Sequence, residues 1–369
     1  MNPFKYGCVV DGEFFCPRPE LERQLKGFAE SGQNVVVQGE RRMGKTSLIK
    51  HAIGGMRKMQ MLYVDLYCIR TLSDFCRRVM NGIAEADENL PFIKKAMAFV
   101  HQLRPTLSFD VNTGTPQVSV DTRTANAPDS LGVVMGMIRK LAKDERMCVV
   151  FDEFQDILDI ERSDAVLAEM RSTIQFQADT SYFFSGSVRN DMMRIFDDSK
   201  SPFFKSAVTF TVGPIAPDKF VRFIVDRFQK GDRRVDSDTA RKLIEYADSV
   251  TGDVQELCEA IWDTTLPGAR ISVDGIPYAL DCIFAREGEA FGETVRQLTP
   301  LQMSVLRTFA ELDTSRIFSE TFMQHVGTAS TGALRTAINR LVNKRVIYQF
   351  GGRYRFVNPF FKAWLVKKM

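Results

Sequence analysis

The sequence lacks the features that would place it in a membrane, in a disulfide-bonded fold or around a metal centre. No apolar run approaches the ~20 residues needed to cross a bilayer, and the first residues do not follow the charged-then-apolar pattern of a secretory signal. Seven scattered cysteines form no C-x-x-C pair. The three histidines are isolated from one another (His51, His101 and His325). We therefore expect a cytoplasmic globular protein without disulfides, a zinc site or histidine-based catalysis.

Net charge is also scarce, at only +3 over 369 residues, but this average hides an asymmetry. The segment 299–369 has 11 basic and 3 acidic residues, a balance of +8, whereas residues 1–298 have a balance of −5. A basic C-terminal segment on an acidic body favours an anionic partner. A basic surface that is merely solvated is the alternative.

Short apolar runs alternate with helical patterns along the first 212 residues. This alternation predicts an α/β core with a mostly parallel sheet. A polar segment near 105–128 interrupts it with period-two alternation, which predicts a hairpin insertion followed by a loop at 121–129. The five predicted core strands are 34–38, 61–66, 147–151, 181–184 and 207–212.

A phosphate-binding motif follows the first strand and opens a helix predicted over 46–52. Glycines in G-x-x-x-x-G-K-[ST] let the backbone fold around phosphate oxygens, and the helix N-terminus supplies positive potential. Lys45 would reach the β- and γ-phosphates, and the Thr46 hydroxyl would bind Mg²⁺. A glycine-rich turn without a ligand is the alternative. The predicted nucleotide-binding residues are Gly39, Glu40, Arg41, Arg42, Met43, Gly44, Lys45, Thr46 and Ser47.

Two adjacent carboxylates end the predicted strand 147–151. In this Walker B arrangement Asp152 would hold Mg²⁺ through water, and Glu153 would orient and deprotonate the attacking water. The start of a helix is the other interpretation of an apolar run that ends in Asp-Glu. The presence of both carboxylates favours hydrolysis over passive binding of a nucleotide.

The next strand ends in small polar residues that could sense the γ-phosphate. Ser187 or Ser185 could fill this role, with simple turn chemistry as the alternative. The catalytic residues predicted by the motifs are thus Lys45, Asp152, Glu153 and Ser187. The predicted cofactors are ATP and Mg²⁺.

The C-terminal segment predicts three helices and a hairpin, the order of a winged helix-turn-helix. Pro300 suits the first turn of a helix, Ser330 can cap the third helix, and two glycines at 351–352 predict a tight hairpin. In DNA-binding versions the third helix enters the major groove and the wing contacts the backbone. The candidate DNA-binding residues are Arg335, Asn339, Arg340 and Lys344 on the helix and Arg353 and Arg355 on the wing. A half-buried strand is the alternative for the alternating wing residues.

These motifs, taken with flanking pieces, resemble a known group of ATPases. The flanking pieces are 15–21 with Arg18, the Arg41–Arg42 pair, 184–187, 201–204 and 255–262. The chain resembles archaeal-type P-loop ATPases of the AAA+/STAND neighbourhood, whose architecture is similar to that of origin-recognition initiators. The resemblance implies a P-loop ATPase core at 1–212, a helical lid at 213–295 and a winged helix at 296–369. It also implies that Arg18 and its segment lie near the adenine.

Two departures from that family limit what the resemblance assigns. Lys205 and Ser206 follow the Ser-Pro-aromatic element, where relatives often have arginine, and Gln255 lies near the position of a sensing arginine. Arg189 and Arg194 are candidate substitutes, and a surface charge is the simpler interpretation of each. No arginine finger or lid sensor is therefore predicted.

Two functional hypotheses follow. The first is an Mg²⁺-dependent ATPase that binds double-stranded DNA through its winged helix. The second is a STAND-like, nucleotide-controlled signalling switch whose winged helix contacts only protein. A homo-oligomer or a protein partner is compatible with either hypothesis, and neither involves a membrane.

Overall fold

A computed structural model describes residues 2–85, 105–109, 116–120, 127–142, 146–187, 190–312, 314–350 and 352–368. The chain divides into two compact units, one of residues 17–213 and one that combines residues 1–16 with 214–369. Each unit is described by itself. The three domain boundaries predicted from the sequence stay a prediction. Within the described residues, every helix is too short or too polar to cross a bilayer.

The 17–213 unit is built on a five-stranded parallel sheet. The described strands of the unit are β1 (Val35–Gly39), β2 (Gln60–Asp65), β3 (Pro105–Phe109), β4 (Pro116–Val120), β5 (Met147–Asp152), β6 (Thr180–Ser187) and β7 (Val208–Thr211). The sheet has the spatial order β2-β5-β6-β1-β7, so the strand that precedes the phosphate-binding motif lies between β6 and β7. A separate antiparallel pair, β3 and β4, confirms the predicted hairpin, although its turn lies outside the described residues.

Within the described residues six α-helices accompany this sheet, and an aromatic cluster packs beside it. Phe151 of β5 stacks against Tyr182 and Phe184 of β6 with ring centroids 6.2 and 6.1 Å apart. All three side chains are fully buried, and burial of each contributes about 1.5–3 kcal/mol to folding. The helices are α1 (Pro19–Glu30), α2 (Lys45–Gly54), α3 (Leu72–Glu85), α4 (Ala127–Leu141), α5 (Ser163–Ile174) and α6 (Asn190–Phe196).

Two predictions for this unit are wrong. The loop predicted at 121–129 is already helical from Ala127, because α4 begins there; residues 121–126 lie outside the described residues. The strand predicted to end at residue 184 continues to Ser187 as β6. Its last residues remain in the ladder because Gly186 pairs with Gln38 and Ser187 pairs with Gly39 of β1.

Residues 217–296 of the other unit form four α-helices and one short strand pair. Strands β8 (Arg234–Val235) and β9 (Arg270–Ile271) run parallel. The last helix continues well past residue 285, where the helical pattern of the sequence weakens, because Phe291 packs against aromatic residues of the chain terminus. The helices are α7 (Pro217–Lys230), α8 (Ser237–Tyr246), α9 (Thr251–Thr264) and α10 (Ile276–Arg296).

The C-terminal part confirms the winged helix predicted from the sequence. Three helices, α11 (Pro300–Glu311), α12 (Glu320–Val326) and α13 (Thr331–Asn343), precede the antiparallel pair β10 (Ile347–Phe350) and β11 (Arg353–Phe356). The predicted caps form: Pro300 is the first residue of α11, and the Ser330 hydroxyl accepts a hydrogen bond from the Ala333 N–H at 3.1 Å.

A final helix, α14 (Pro359–Lys368), was not predicted from the sequence. Its Phe361 and Trp364 rings lie 5.3 and 5.8 Å from the ring of Phe291 on α10. Asn358, just before α14, donates a hydrogen bond to Glu287 of α10 at 2.9 Å. The winged helix is thus joined to α10 by side-chain contacts as well as by the chain.

Candidate functional site

The carboxyl ends of three adjacent strands bring the predicted catalytic residues to one edge of the sheet. Because the strands are parallel, β1 delivers the glycine loop, β5 delivers Asp152 and Glu153, and β6 delivers Ser187 to the same edge. The strand order makes β6 the neighbour of both other strands. The topology therefore assembles residues that are more than 100 positions apart in sequence.

The glycine loop turns sharply between β1 and α2. Arg42 and Gly44 have φ angles of 65° and 80°, and Gly44 directly precedes the first residue of α2. A Cβ atom at Gly39 would lie 2.4 Å from the Val212 carbonyl oxygen, so this position requires glycine. Within the loop Met43 and Ser47 are buried, Arg41 is exposed, and Glu40 and Arg42 are partly exposed.

The Lys45 ammonium lies inside this loop. The residue is only 7% exposed, and its Nζ donates hydrogen bonds to the carbonyl oxygens of Gly39 and Glu40 at 3.1 and 3.0 Å. A buried ammonium is costly unless it is paired or hydrogen-bonded, so the loop holds a positive charge at the N-terminus of α2. This arrangement suits an anionic ligand.

Asp152 is the centre of the hydrogen-bond network at this edge. Its Oδ2 accepts hydrogen bonds from the Thr46 hydroxyl at 2.6 Å and from the Tyr63 hydroxyl at 2.8 Å. Its Oδ1 accepts one from the Glu153 N–H at 3.1 Å. The Asp152 carboxylate is 5% exposed and has donors on both oxygens, so its orientation is fixed.

Tyr63 is a member of this network that the sequence motifs do not indicate. It lies on β2, opposite Val150 of β5, and the Lys50 ammonium stands 3.9 Å from the centroid of its ring. Partial burial, and then the nearby Asp152 carboxylate, raise the pKa of Tyr63 well above its usual value. The hydroxyl therefore remains a hydrogen-bond donor at neutral pH.

Glu153 is held by a glutamine that the motifs also do not indicate. Its backbone is left-handed at φ 49°, between β5 and a 3₁₀ helix at Phe154–Asp159. The Gln155 amide nitrogen donates to the Glu153 carboxylate at 2.5 Å and to the Asp156 carboxylate at 3.0 Å. The strand interpretation of this segment is confirmed, because Asp152 ends β5 rather than beginning an α-helix.

Ser185 and Ser187 are strand residues on one face of β6, and the turn interpretation is wrong. Both are buried, at 0% and 6% exposure, and neither hydroxyl has a hydrogen-bond partner in the described part of the chain. Buried hydroxyls without partners are uncommon in folded proteins. Ser187 pairs with Gly39 in the strand ladder. Ser187 is therefore next to the residue at which the glycine loop starts.

Arg18 is buried against the glycine loop. Its guanidinium donates to the carbonyl oxygens of Met43 at 2.7 Å and Gly213 at 3.0 Å. Its backbone N–H donates to Glu22 of α1 at 2.7 Å. The structure thus brings Arg18 to the predicted nucleotide-binding loop, where it holds the loop backbone.

The residues considered as finger or sensor substitutes lie in different surroundings. Arg194 is exposed on α6, and Arg189 lies outside the described residues. Lys205 has a φ angle of 51°, and its ammonium lies 5.2 Å from the Phe204 ring. Gln255 is 3% exposed and donates to the Phe14 carbonyl oxygen at 3.2 Å, so its amide is engaged with the N-terminal segment.

The candidate DNA-binding residues lie on the outer surface of the winged helix. On α13, buried Leu334, Ile338 and Leu341 form the inner face of the helix. Its candidates, and the wing residue Arg353, are exposed, while Arg355 is half-exposed. The exposed candidates are Arg335, Asn339, Arg340, Lys344 and Arg353.

The wing alternates as predicted. Tyr354 stacks on Phe309 with centroids 5.5 Å apart, and Phe356 is 5% exposed, so these two residues anchor the wing to the helices. Residues 331–345 contain four basic residues and no acidic residue. The Arg335 guanidinium stands 5.4 Å from the centroid of the exposed Phe318 ring. The result is a positive outer face.

Comparison with known proteins identifies the C-terminal module by sequence. Residues 289–367 match the family described as "Probable winged helix domain". No curated protein matches the sequence of this chain.

Solved structures of similar fold extend over nearly the whole chain. The Walker-type ATPase paby2304 of Pyrococcus abyssi is 18% identical, with a TM-score of 0.67 over 96% of this chain and 97% of that one. The ORC1 protein of Aeropyrum pernix in complex with DNA is 14% identical, with a TM-score of 0.53 over 96% and 94%. The ORC2 protein of A. pernix, in ADPNP–ADP complexes, is 15% identical, with a TM-score of 0.54 over 99% and 96%. At these identities the likeness confirms the predicted fold.

Proposed function

We propose that this protein is an Mg²⁺-dependent ATPase that binds double-stranded DNA through its winged helix. One observation carries the first half of the proposal: the 2.6 Å hydrogen bond between Thr46, at the end of the glycine loop, and Asp152, at the end of β5. Two separate motifs that would each be needed for a metal–nucleotide complex thus meet in one place. The alternative, a glycine-rich turn without a ligand, does not explain why the loop is hydrogen-bonded to the acidic end of a strand.

The donors present at the site fit a nucleotide with Mg²⁺. The Thr46 hydroxyl and Asp152 carboxylate are the oxygen ligands that Mg²⁺ prefers, and Asp152 would act through water. The buried Lys45 ammonium can exchange its carbonyl acceptors for phosphate oxygens. The Ser187 hydroxyl, which has no hydrogen-bond partner among the described residues, offers a donor beside the loop. When bound, Mg²⁺ neutralises phosphate charge and lowers the barrier to phosphoryl transfer.

The chain's own residues supply the rest of the chemistry. Glu153, fixed by Gln155, can accept a proton from an attacking water through its carboxylate oxygen. Lys45 can stabilise the charge that develops on the transferred phosphoryl group, and Ser187 can donate a hydrogen bond to it. The glycine loop, anchored by Arg18, positions the phosphates.

A substitution at Glu153 tests the hydrolytic part. Glu153→Gln should keep ATP binding but slow turnover about 10²–10⁴-fold, because a general base is lost while the glycine loop and Lys45 are unchanged. Turnover is measured by phosphate release, and binding by the fluorescence of a labelled ATP analogue. Lys45→Ala serves as the comparison, since it should weaken binding itself. Full turnover in Glu153→Gln would contradict the assignment.

The DNA part rests on the exposed basic face of α13 and its wing. Five of the six candidate residues are exposed, and 331–345 contains no acidic residue to oppose phosphate binding. The relative of similar fold that is described in complex with DNA gives the proposal further support. Binding through phosphates predicts an affinity that falls steeply with salt.

Fluorescence anisotropy of the full chain with labelled duplex DNA across a salt series tests this part. Arg335→Ala/Arg340→Ala should weaken binding and reduce the slope of log affinity against log salt by about 1.8, or about 0.9 per phosphate contact. Arg234→Ala/Arg241→Ala removes the same charge from exposed positions outside the winged helix and should have little effect. Equal behaviour of the two double variants would contradict the proposal. Absence of salt-dependent binding by the unchanged protein would favour the switch that contacts only protein.

A further inference from the structure

Phe318 presents an exposed aromatic ring beside the basic face of the winged helix. The residue is 43% exposed and directly precedes Ser319, whose hydroxyl caps α12 by accepting a hydrogen bond from the Phe322 N–H at 3.3 Å. Its other neighbour, Ile317, is buried, so the backbone is anchored at the point where the ring is exposed. The sequence motifs do not indicate Phe318, because they select basic and polar residues.

The Phe318 ring is the partner of Arg335. The guanidinium carbon of Arg335 lies 5.4 Å from the ring centroid, within the range of a cation–π contact. Among the described residues, Arg335 forms no ion pair and its guanidinium donates no hydrogen bond. Glu320, the acidic residue closest to Phe318 in sequence, accepts a hydrogen bond from Gln324 of its own helix at 3.3 Å. A guanidinium that stacks on a ring keeps the N–H donors in its plane available for a ligand.

Arg335 lies where a helix-turn-helix contacts bases. It is the fifth residue of α13 and is exposed, whereas Leu334 and Ile338 beside it are buried. In DNA-binding helix-turn-helix proteins the N-terminal residues of the second helix contact base edges, while the first helix crosses the backbone. Arg340 lies five residues further along α13, which turns it about 140° around the helix axis from Arg335. The two arginines therefore present their charges in different directions.

We propose that Phe318 is a positioning residue that aims the Arg335 guanidinium at a guanine in the major groove and so gives DNA binding a base preference. This inference rests on the proposed function, because it requires α13 to enter the groove. Guanine presents two acceptors there, N7 and O6, and a bidentate contact from arginine is the commonest specific contact to them.

The ring acts before DNA arrives. A guanidinium that is already held over Phe318 loses less conformational entropy on binding than one on a freely moving side chain. This gain is realised only where a guanine lies in the direction in which Arg335 is held. On a duplex without such a guanine the same charge still attracts phosphates, and the salt dependence of affinity measures that attraction.

The competing explanation is that Phe318 is a surface residue whose contact with Arg335 only stabilises the winged helix. Phe176 gives a matched control, because its ring is 71% exposed and belongs to the 17–213 unit. Arg340→Ala is the control for charge: it removes a guanidinium from the same helix, and among the described residues no aromatic ring contacts Arg340. Phe318→Tyr keeps the ring and should behave like the unchanged protein.

The experiment selects duplexes that bind the full chain from a randomised pool and then measures affinity for the most enriched duplex by fluorescence anisotropy. We expect enrichment of a guanine at a defined position. Replacing N7 of that guanine by carbon should weaken binding of the unchanged protein roughly tenfold, because one hydrogen bond from a charged donor is lost. Inosine at the same position keeps N7 and O6 and should bind like guanine.

The variants separate positioning from charge. Phe318→Ala should bind the selected duplex about 2–5-fold more weakly, the size of an exposed cation–π contact, and should reduce the penalty for the N7 replacement by the same factor. Its affinity for an unselected duplex, and the slope of that affinity against salt, should not change. Arg335→Ala should abolish the N7 penalty. Arg340→Ala should reduce the salt slope and keep the penalty, and Phe176→Ala should match the unchanged protein.

Three results would overturn the inference. They are a selected pool without an enriched guanine, a full N7 penalty in Phe318→Ala, and an equal loss of affinity by Phe318→Ala for selected and unselected duplexes, which a structural role alone would produce. Thermal unfolding of each variant verifies that it is folded. If the unchanged protein binds no duplex in a salt-dependent manner, the proposed DNA binding fails instead, so the two failures are distinguishable.

Discussion

Gly186 is the position where one added methyl group should disturb both the fold and the chemistry. A Cβ atom there would lie 2.5 Å from Gln155 Oε1 and 2.8 Å from Met192 Sδ, whereas ordinary van der Waals contacts are 3.4–4 Å. Gln155 and Met192 are 5% and 1% exposed, so neither can swing into solvent without cost. Gly186→Ala must therefore displace the glutamine that holds Glu153.

The size of the effect follows from these contacts. Overpacking of a buried site costs about 1–3 kcal/mol, which corresponds to a fall in melting temperature of roughly 2–12 °C for a unit of this size. A shift of about 1 Å in a catalytic group can slow a reaction on the order of 10²-fold. We expect turnover to fall about 10–100-fold, while ATP affinity changes little because the glycine loop itself is untouched.

Thermal unfolding, turnover and binding of the labelled ATP analogue are the three measurements. Gly27→Ala is the matched control: this glycine lies inside α1, with nothing within 4 Å of an added Cβ, so alanine there should stabilise the protein by about 0.5–1 kcal/mol. Gln155→Ala in the Gly186→Ala background should recover part of the lost stability. Unaltered melting and turnover in Gly186→Ala would refute the role given to Gln155.

Three further outcomes can be checked independently. A thiol reagent should label the three exposed cysteines quickly and the buried cysteines slowly. The buried thiols react slowly because burial raises the pKa of Cys76 and Cys148 to about 12. Mass spectrometry counts the labelled sites over time, and equal labelling rates for exposed and buried cysteines would contradict the described packing. The exposed thiols are Cys8, Cys68 and Cys282. Arg18→Ala should lower the free energy of unfolding by about 3 kcal/mol and weaken ATP binding, because two carbonyl oxygens lose a charged hydrogen-bond donor. Arg18→Lys should have an intermediate effect on both quantities. Ser330→Ala should cost about 1 kcal/mol in urea unfolding through loss of the α13 cap, and Ser330→Asp should restore it.

Local patterns were sufficient to predict much of this fold. The first strand, the glycine loop and the start of α2 are contiguous in sequence, so a buried apolar run followed by glycines and a helix predicts them together. The winged helix was equally accessible, because Pro300 begins a helix, Ser330 caps one, and Gly352 has the left-handed backbone of a tight turn.

The partners that complete the site could not be predicted, because they are distant in sequence. Tyr63 meets Asp152 across 89 residues, and only the side-by-side pairing of β2 and β5 brings them together. Gln155 is close to Glu153 in sequence, but its contact depends on a left-handed residue and a 3₁₀ turn that no periodicity reveals. Helix α14 was missed because apolar Val366 is exposed while Phe361 is buried, so its sequence has no clear apolar face.

The division of the chain into two units also determines the order in which they can fold during synthesis. Residues 17–213 are continuous, so this unit has all of its sequence as soon as the ribosome has passed it. The other unit is discontinuous: Phe4 packs against Phe228 and Trp262, with ring centroids 4.7 and 6.4 Å away. At about 5–20 residues per second, Phe4 waits roughly 10–45 seconds for Phe228 to be made. The segment that contains Phe4 is thus made well before the residues that bury it, and its apolar side chains are open to chaperones and proteases throughout that interval.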